Sequence, residues 1–323
     1  MNAITQLRRI RRRLMTPALI EVDPERRGFY SWESGNSIVQ PVGRAFLIGY
    51  GAAMHEPKSH AAIGRVQRLP ARWRGFAMEG AAMATTVRAA LEPWHRRELD
   101  RFLMTSGARH GYMSYVGIGW ALARLPKLAW PDLARFDPLL SPLILDGYGF
   151  HETFFKTAEV MQAKGVSFPL SRWPGLPGEA NQQLMQGVGR GMWFVAGGNP
   201  AVAKSCFEML PVEYHESLWA GLGLAVAYAG GRDEDGLRVL AEQAGPFMPW
   251  VRQGASFAVE ARVLAGTVTA HTRLASAVLL HKDPCEVVDI VAAARPSAPQ
   301  IDSGDYSAYE QWRAAVAERV SHV

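Results

Sequence analysis

The chain has 323 residues, a hydrophobic fraction of 48%, a charged fraction of 20% and a formal net charge of +5. These values exclude a disordered chain and suit one large or two ordinary globular domains with a sizeable core. Arg8, Arg9, Arg11, Arg12 and Arg13 carry the excess charge, so no nucleic-acid partner is expected. Cys206 and Cys285 form neither a disulfide framework nor a metal-ligand spacing, and a cytoplasmic location is expected.

Residues 1–20 read as a basic amphipathic helix, with Ile4, Leu7, Ile10 and Leu14 on one face. Its arginines are either solvated or offer peripheral contact with an anionic membrane surface. The apolar run after them is too short for a secretory signal and ends at Glu21 and Asp23. No membrane-spanning stretch is expected, because the longest uncharged run, residues 217–231, is too short and holds four glycines. A turn-rich connector at 23–29 leads to helices expected over 39–54, 61–66, 77–90, 96–104, 114–125 and 139–155. Trp130-Pro131-Asp132 reads as a further helix start. A Pro/Gly-rich loop follows at 168–177, and a last helix is expected over 306–320.

From Glu179 onward the chain repeats itself. Gly187-Val188-Gly189 and Gly221-Leu222-Gly223 each open a unit of apolar helix, glycine turn and second helix, and Gly254-Ala255-Ser256 opens a third. The spacings of 34 and 33 residues have tetratricopeptide length. Similar pairs stand at Gly49-Tyr50-Gly51, Gly117-Ile118-Gly119 and Gly147-Tyr148-Gly149. Glycine costs about 1 kcal/mol in a helix interior, which close helix-to-helix approach offsets. None of these is a phosphate loop, since none follows a strand or completes the required spacing. Strand patterns are absent apart from Val39-Gln40-Pro41-Val42. The fold class is therefore all-α, with stacked helical hairpins that are tetratricopeptide-like in the C-terminal half and form a regular superhelix or a curled, closed assembly. Four parts are expected to pack as one continuous domain: a basic helix (1–22), an irregular helical part (23–178), a helical-repeat part (179–296) and a C-terminal helix (297–323).

Candidate chemistry centres on Asp146-Gly147-Tyr148-Gly149-Phe150-His151-Glu152. Helical spacing stacks His151 over Gly147, and His151 with Asp146 or Glu152 is a sensible acid–base pair. The ordinary alternative is a buried histidine bonded to a neighbouring helix. His110 precedes an apolar helix and is a third proton-transfer candidate. Tyr112, Tyr115, Trp120, Tyr148, Phe150, Phe154, Trp193 and Phe194 are expected either to line an elongated apolar cavity or to be plain core. Arg190 must find an acceptor, either Asp146 or an anionic ligand group. His215, His271 and His281 lack paired-ligand spacing, so neither a metal nor any other cofactor is expected. No Gly-x-Ser-x-Gly elbow or activated cysteine is present.

Several stretches resemble a known bacterial family: Glu25-Arg26-Arg27-Gly28-Phe29, Phe46-Leu47-Ile48-Gly49-Tyr50, His110-Gly111-Tyr112-Met113, the helix from Gly119 to Leu125, Asp146 to His151, Gly187 to Arg190 with Trp193-Phe194, and Gly221-Leu222-Gly223 with Tyr228 to Gly231. Together they are similar to the domain-of-unknown-function family numbered 1702, from about Glu25 to Pro296. The resemblance implies a role in enediyne, polyketide or other specialised-metabolite gene clusters and supplies no catalytic residues. The expectation is a protein that binds an elongated apolar intermediate and serves as a cofactor-independent cyclase or rearrangement catalyst. His151, Asp146 and His110 would transfer protons; Arg190, Tyr148, Trp120, Trp193 and Tyr112 would hold the substrate. The competing expectation is a non-catalytic adapter that docks other biosynthetic proteins.

Overall fold

A computed structural model describes residues 23–30, 38–56, 58–105, 108–297 and 307–321. The expected basic helix over 1–20 lies outside them, as does the start of the last helix. Among the described residues there are fifteen α-helices, short 3-10 turns and no strand. The helices are α1 (Val39–His55), α2 (Ser59–Val66), α3 (Ala71–Leu91), α4 (Arg96–Thr105) and α5 (Gly111–Arg124). Then come α6 (Pro142–Phe155), α7 (Thr157–Ala163), α8 (Pro177–Val195), α9 (Pro200–Glu208) and α10 (His215–Ala229). The last are α11 (Glu234–Ala244), α12 (Met248–Leu264), α13 (Ala270–Ala275), α14 (Pro284–Ala294) and α15 (Ala308–Ser321). Val39 to Val42, the one strand-like stretch, is the first turn of α1. Trp130-Pro131-Asp132 starts only a 3-10 turn, Leu133–Arg135, capped by the Asp132 carboxylate.

Local chemistry sets many of these boundaries. Proline stands in the first turn of α6, α8, α9 and α14, where its missing N–H costs nothing. Asn199 caps α9, and Asp283 with Glu286 forms a capping box on α14. Gly230 ends α10 in a positive-φ conformation (φ 88°) that a side chain would strain.

Two kinds of helix share the work. The long helices α1, α3, α5, α6, α8, α10 and α12 are apolar on nearly every side; residues 75–88 of α3 are all buried. The short helices are amphipathic: α4 buries only Leu99 and Phe102, and α11 only Leu237, Leu240 and Ala244. The long helices pack in chain order as one row, and short helices lie outside it. Neighbours in the row run in the same direction. Between α8 and α10, for example, Ser217 Oγ donates to Gln182 Oε1 near the helix starts, and Trp193 Nε1 donates to the Gly230 carbonyl at their ends.

The glycines set the spacing of this row. A Cβ on Gly187 would sit 2.7 Å from the Phe150 amide nitrogen and closer still to the Asp146 carbonyl oxygen. A Cβ on Gly189 would strike the Leu218 carbonyl on the opposite neighbour. Residues two apart on a helix point to opposite sides, so each Gly-x-Gly lets one helix touch backbone on both flanks. The register repeats: the first glycine of each pair (117, 147, 187, 221, then 254) meets the carbonyl of Glu79, Val116, Asp146, Gln186 and Ala220 respectively. The glycine expectation thus extends from the repeats back to the first pair of the row, where Gly49 on α1 and Gly80 on α3 make the same backbone contacts.

The row curls back on itself, so that α3 and α5 meet α10 and α12. Phe76 of α3 packs edge-on against Tyr228 of α10 (5.3 Å), and Arg262 of α12 donates to the Arg72 and Tyr228 carbonyls at 3.0 and 2.7 Å. Helix α15 fills the curl near the starts of the long helices. Its Arg313 reaches Ser217 and Gln253, its Glu310 accepts from Gln183, and its Trp312 packs on Phe257. Tyr309, Trp312 and Arg313 are fully buried there. No described helix is long and apolar enough to cross a membrane.

Candidate functional site

A recess opens between the first half of α1, the middle of α3 and the second halves of α5, α6 and α8. Phe46, Phe76, Trp120, Phe150, Phe154 and Phe194 form its walls, with Met83, Phe155 and the aliphatic residues of α1 around them. It encloses about 590 Å³ counted out to open solvent, and about 40 Å³ of that is roomy enough for water, space for roughly three molecules. The rings interlock rather than stack freely. Trp120 lies 4.8 Å from Phe46 and 5.1 Å from Phe150, and Phe150 stacks on Phe194 at 5.5 Å.

Two polar side chains, Glu79 and Arg124, line this apolar recess. Glu79 comes from α3, is 2% exposed, and its Oε1 has no hydrogen-bond partner. Burial pushes its carboxyl up to about 8; Arg190 opposes the shift and Asp146 adds to it. The carboxyl is therefore protonated at neutral pH. The Trp120 indole N–H and the Tyr228 hydroxyl are also buried without partners. Two of these orphaned atoms, on Glu79 and Trp120, belong to residues that line one aromatic space, against the rule that buried polar groups are bonded.

The ion pair foreseen for Arg190 is present. Arg190 Nη1 donates to Asp146 Oδ1, and Gln186 Nε2 donates to Asp146 Oδ2 at 2.7 Å. The Arg190 guanidinium also lies 4.9 Å above the Phe150 ring. Both charges are buried, and the pair stands behind the recess wall, so Arg190 is an internal partner of Asp146 rather than a lining residue.

His151 does not join Asp146. Arg124 Nε donates to His151 Nε2 at 3.1 Å, and His151 Nδ1 faces Glu152 Oε1 at 3.2 Å. Burial holds its pKa down, against the Glu152 bond that raises it. Both ring nitrogens are engaged, and the ring packs edge-on to Trp120 at 5.4 Å. No groove lies beneath it: the space over Gly147 is occupied by the Val116 backbone.

The remaining expected residues lie elsewhere. His110 and Tyr112 border a separate hollow with Arg109 and Arg295, about 580 Å³ counted out to open solvent, as large as the recess on the same measure. Burial, then Arg262, Arg74 and Arg109, hold His110 down to about 4. Tyr112 Oη donates to Glu260. Tyr148 donates weakly to the Ser167 carbonyl (3.4 Å) and packs on Phe168 and Trp130. Trp193 is fully buried and tied to Gly230. Of the eight aromatic residues expected to line one cavity, Trp120, Phe150, Phe154 and Phe194 do; Tyr112, Tyr115, Tyr148 and Trp193 do not. Helical position separates them, because the latter face other neighbours in the row. Glu79 was missed. Its signal was a lone acid in the otherwise uncharged stretch 75–87, between Arg74 and Arg88.

No curated protein and no solved structure matches the chain. The model of the family described as "Protein of unknown function (DUF1702)" matches residues 6–320. A match over nearly the whole length agrees with the stretches singled out by sequence, and the chain belongs to that family.

Proposed function

We propose that the chain binds an elongated, apolar and unsaturated small molecule in the recess between α1, α5, α6 and α8. The observation that carries this reading is Glu79: the residue lines an aromatic space, burial keeps its carboxyl uncharged, and its Oε1 has no partner. An apolar ligand with a single oxygen would cover the rings and satisfy one orphaned donor. Its entry requires Phe and Trp side chains to turn, because only about 40 Å³ of the recess is roomy enough for water. The setting in specialised-metabolite assembly follows from the family resemblance, and cofactor-independent cyclisation or rearrangement is the chemistry the lining suits. The adapter reading has less support: an adapter would use the inside of the curl, which α15 fills.

Native mass spectrometry with an absorption spectrum, on protein purified gently from a producing host, tests this reading. The expected result is a bound small molecule released on denaturation and absent from a Val42→Trp variant, whose indole fills the recess. A bare mass for the parent protein, or the same ligand retained by Val42→Trp, would sink it.

A further inference from the structure

The acid–base group of the recess is a different residue from the histidines singled out by sequence. His151 has both ring nitrogens engaged, by Arg124 and Glu152. His110 lies in another hollow. Asp146 is closed off by Arg190 and Gln186. Glu79 alone among these candidates combines a place on the aromatic recess with a free oxygen.

We propose that Glu79 is a catalytic proton donor and acceptor, acting on a conjugated hydrocarbon chain held against Phe46, Phe76, Trp120, Phe150 and Phe194. This rests on the recess being a ligand site. In the first step the Glu79 carboxylic acid gives its proton to one carbon of the conjugated system, and a pair of π electrons forms the new C–H bond. Positive charge spreads along the remaining double bonds. In the second step the Glu79 carboxylate removes a proton from another carbon of the same chain, and that C–H pair becomes a π bond. The double bonds have moved, or a ring has closed between the steps. The composition is unchanged, Glu79 is an acid again, and no oxidant, reductant or second substrate is consumed.

The surroundings suit both halves of the cycle. Aromatic faces attract a nearby cation, and a dry site strengthens that attraction. The carboxylate formed in the first step faces the field of Arg190, whose charge needs no rearrangement to act. The charged and titratable groups around Glu79 are Arg190 on α8, Asp146 on α6, Tyr228 on α10 and Arg124 on α5. Burial raises the Glu79 carboxyl most, Arg190 lowers it and Asp146 raises it, leaving a value of about 8. A group near that value can both give and take a proton around neutral pH.

The probe for the test is β-farnesene, a linear hydrocarbon with conjugated double bonds, incubated with the full chain in D2O. Binding is read by quenching of tryptophan fluorescence, and carbon-bound deuterium by mass spectrometry. Folding of each variant is checked by circular dichroism. The expected result is deuterium uptake by the parent protein that is flat below about pH 8 and falls above it. Glu79→Gln, a neutral match for the protonated acid, should bind within twofold of the parent and lose exchange by ~100-fold or more. Glu79→Asp should retain part of the exchange. Binding without exchange by the parent, or exchange by Glu79→Gln at the parent rate, overturns the proposal while leaving the recess as a binding site. Absence of binding removes the recess as a site for unsaturated chains, and the proposal with it.

Discussion

Glu79 should make the protein less stable as pH rises through neutrality, and the size of the effect follows from its burial. In the unfolded chain its carboxyl titrates near 4.5; in the fold it titrates near 8. Between these values the native state holds a proton that the unfolded state has released. Stability therefore falls with rising pH across that window, by about 1.4 kcal/mol for each unit. Below the lower value both states are protonated and the Glu79 contribution is fully present; above the upper value it is fully lost. Between pH 5 and pH 7 the loss attributable to this one side chain is about 2–3 kcal/mol.

The assay is urea denaturation of the parent protein and Glu79→Gln at several pH values, taking the difference between the two. Every other titrating group, including His110 with its opposite sign, is present in both proteins and cancels. Arg190 and Asp146 are likewise unchanged. The expected difference grows steadily in favour of the glutamine variant from pH 5 to pH 8. Parallel stability profiles would refute the reasoning, because they would mean that Glu79 titrates in the fold as it does in water. A difference growing in favour of the parent would mean that Glu79 is held as a carboxylate by a partner.

Two further perturbations test the frame around the site. Gly187→Ala should cost about 3 kcal/mol or more, because its Cβ would strike backbone on α6. Gly64→Ala in α2, where nothing lies within 4 Å, should instead gain up to ~1 kcal/mol; thermal melts of the two variants should move in opposite directions. Arg190→Met should destabilise by about 3–5 kcal/mol, since it strands the buried Asp146 carboxylate. Adding Asp146→Leu should recover much of that loss in the same denaturation assay, and no recovery would show that the pair is not the unit inferred.

The row of helices was legible because its cause is local. A Gly-x-Gly in an apolar helix marks two flanks of close approach, and Gly187, Gly221 and Gly254 announce the unit by their spacing. The closure of the curl was not legible. It depends on contacts such as Arg262 to the Arg72 carbonyl, 190 residues apart, and no pattern in either segment points to the other. The same limit scattered the aromatic residues: Trp120 and Trp193 look alike in sequence, yet one lines the recess and the other is locked onto Gly230.

The Asp146–Arg190 pair was within reach of sequence reasoning because a buried charge in an apolar helix demands a partner. Glu79 obeys the same logic but sits among Ala77, Met78, Gly80 and Ala81, where the small residues drew attention to packing alone. The glycine register removes that ambiguity. Glu79, Val116, Asp146, Gln186 and Ala220 each precede a glycine that meets the backbone of the preceding helix, and each offers its carbonyl to the next helix in the row. They are equivalent positions of one repeat. Asp146 and Gln186 at this position bond to each other, whereas Glu79 borders the recess with an oxygen left over. A polar residue at an otherwise structural position, equivalent to two that are paired and itself unpaired, is the feature that separates a site from a scaffold in this fold.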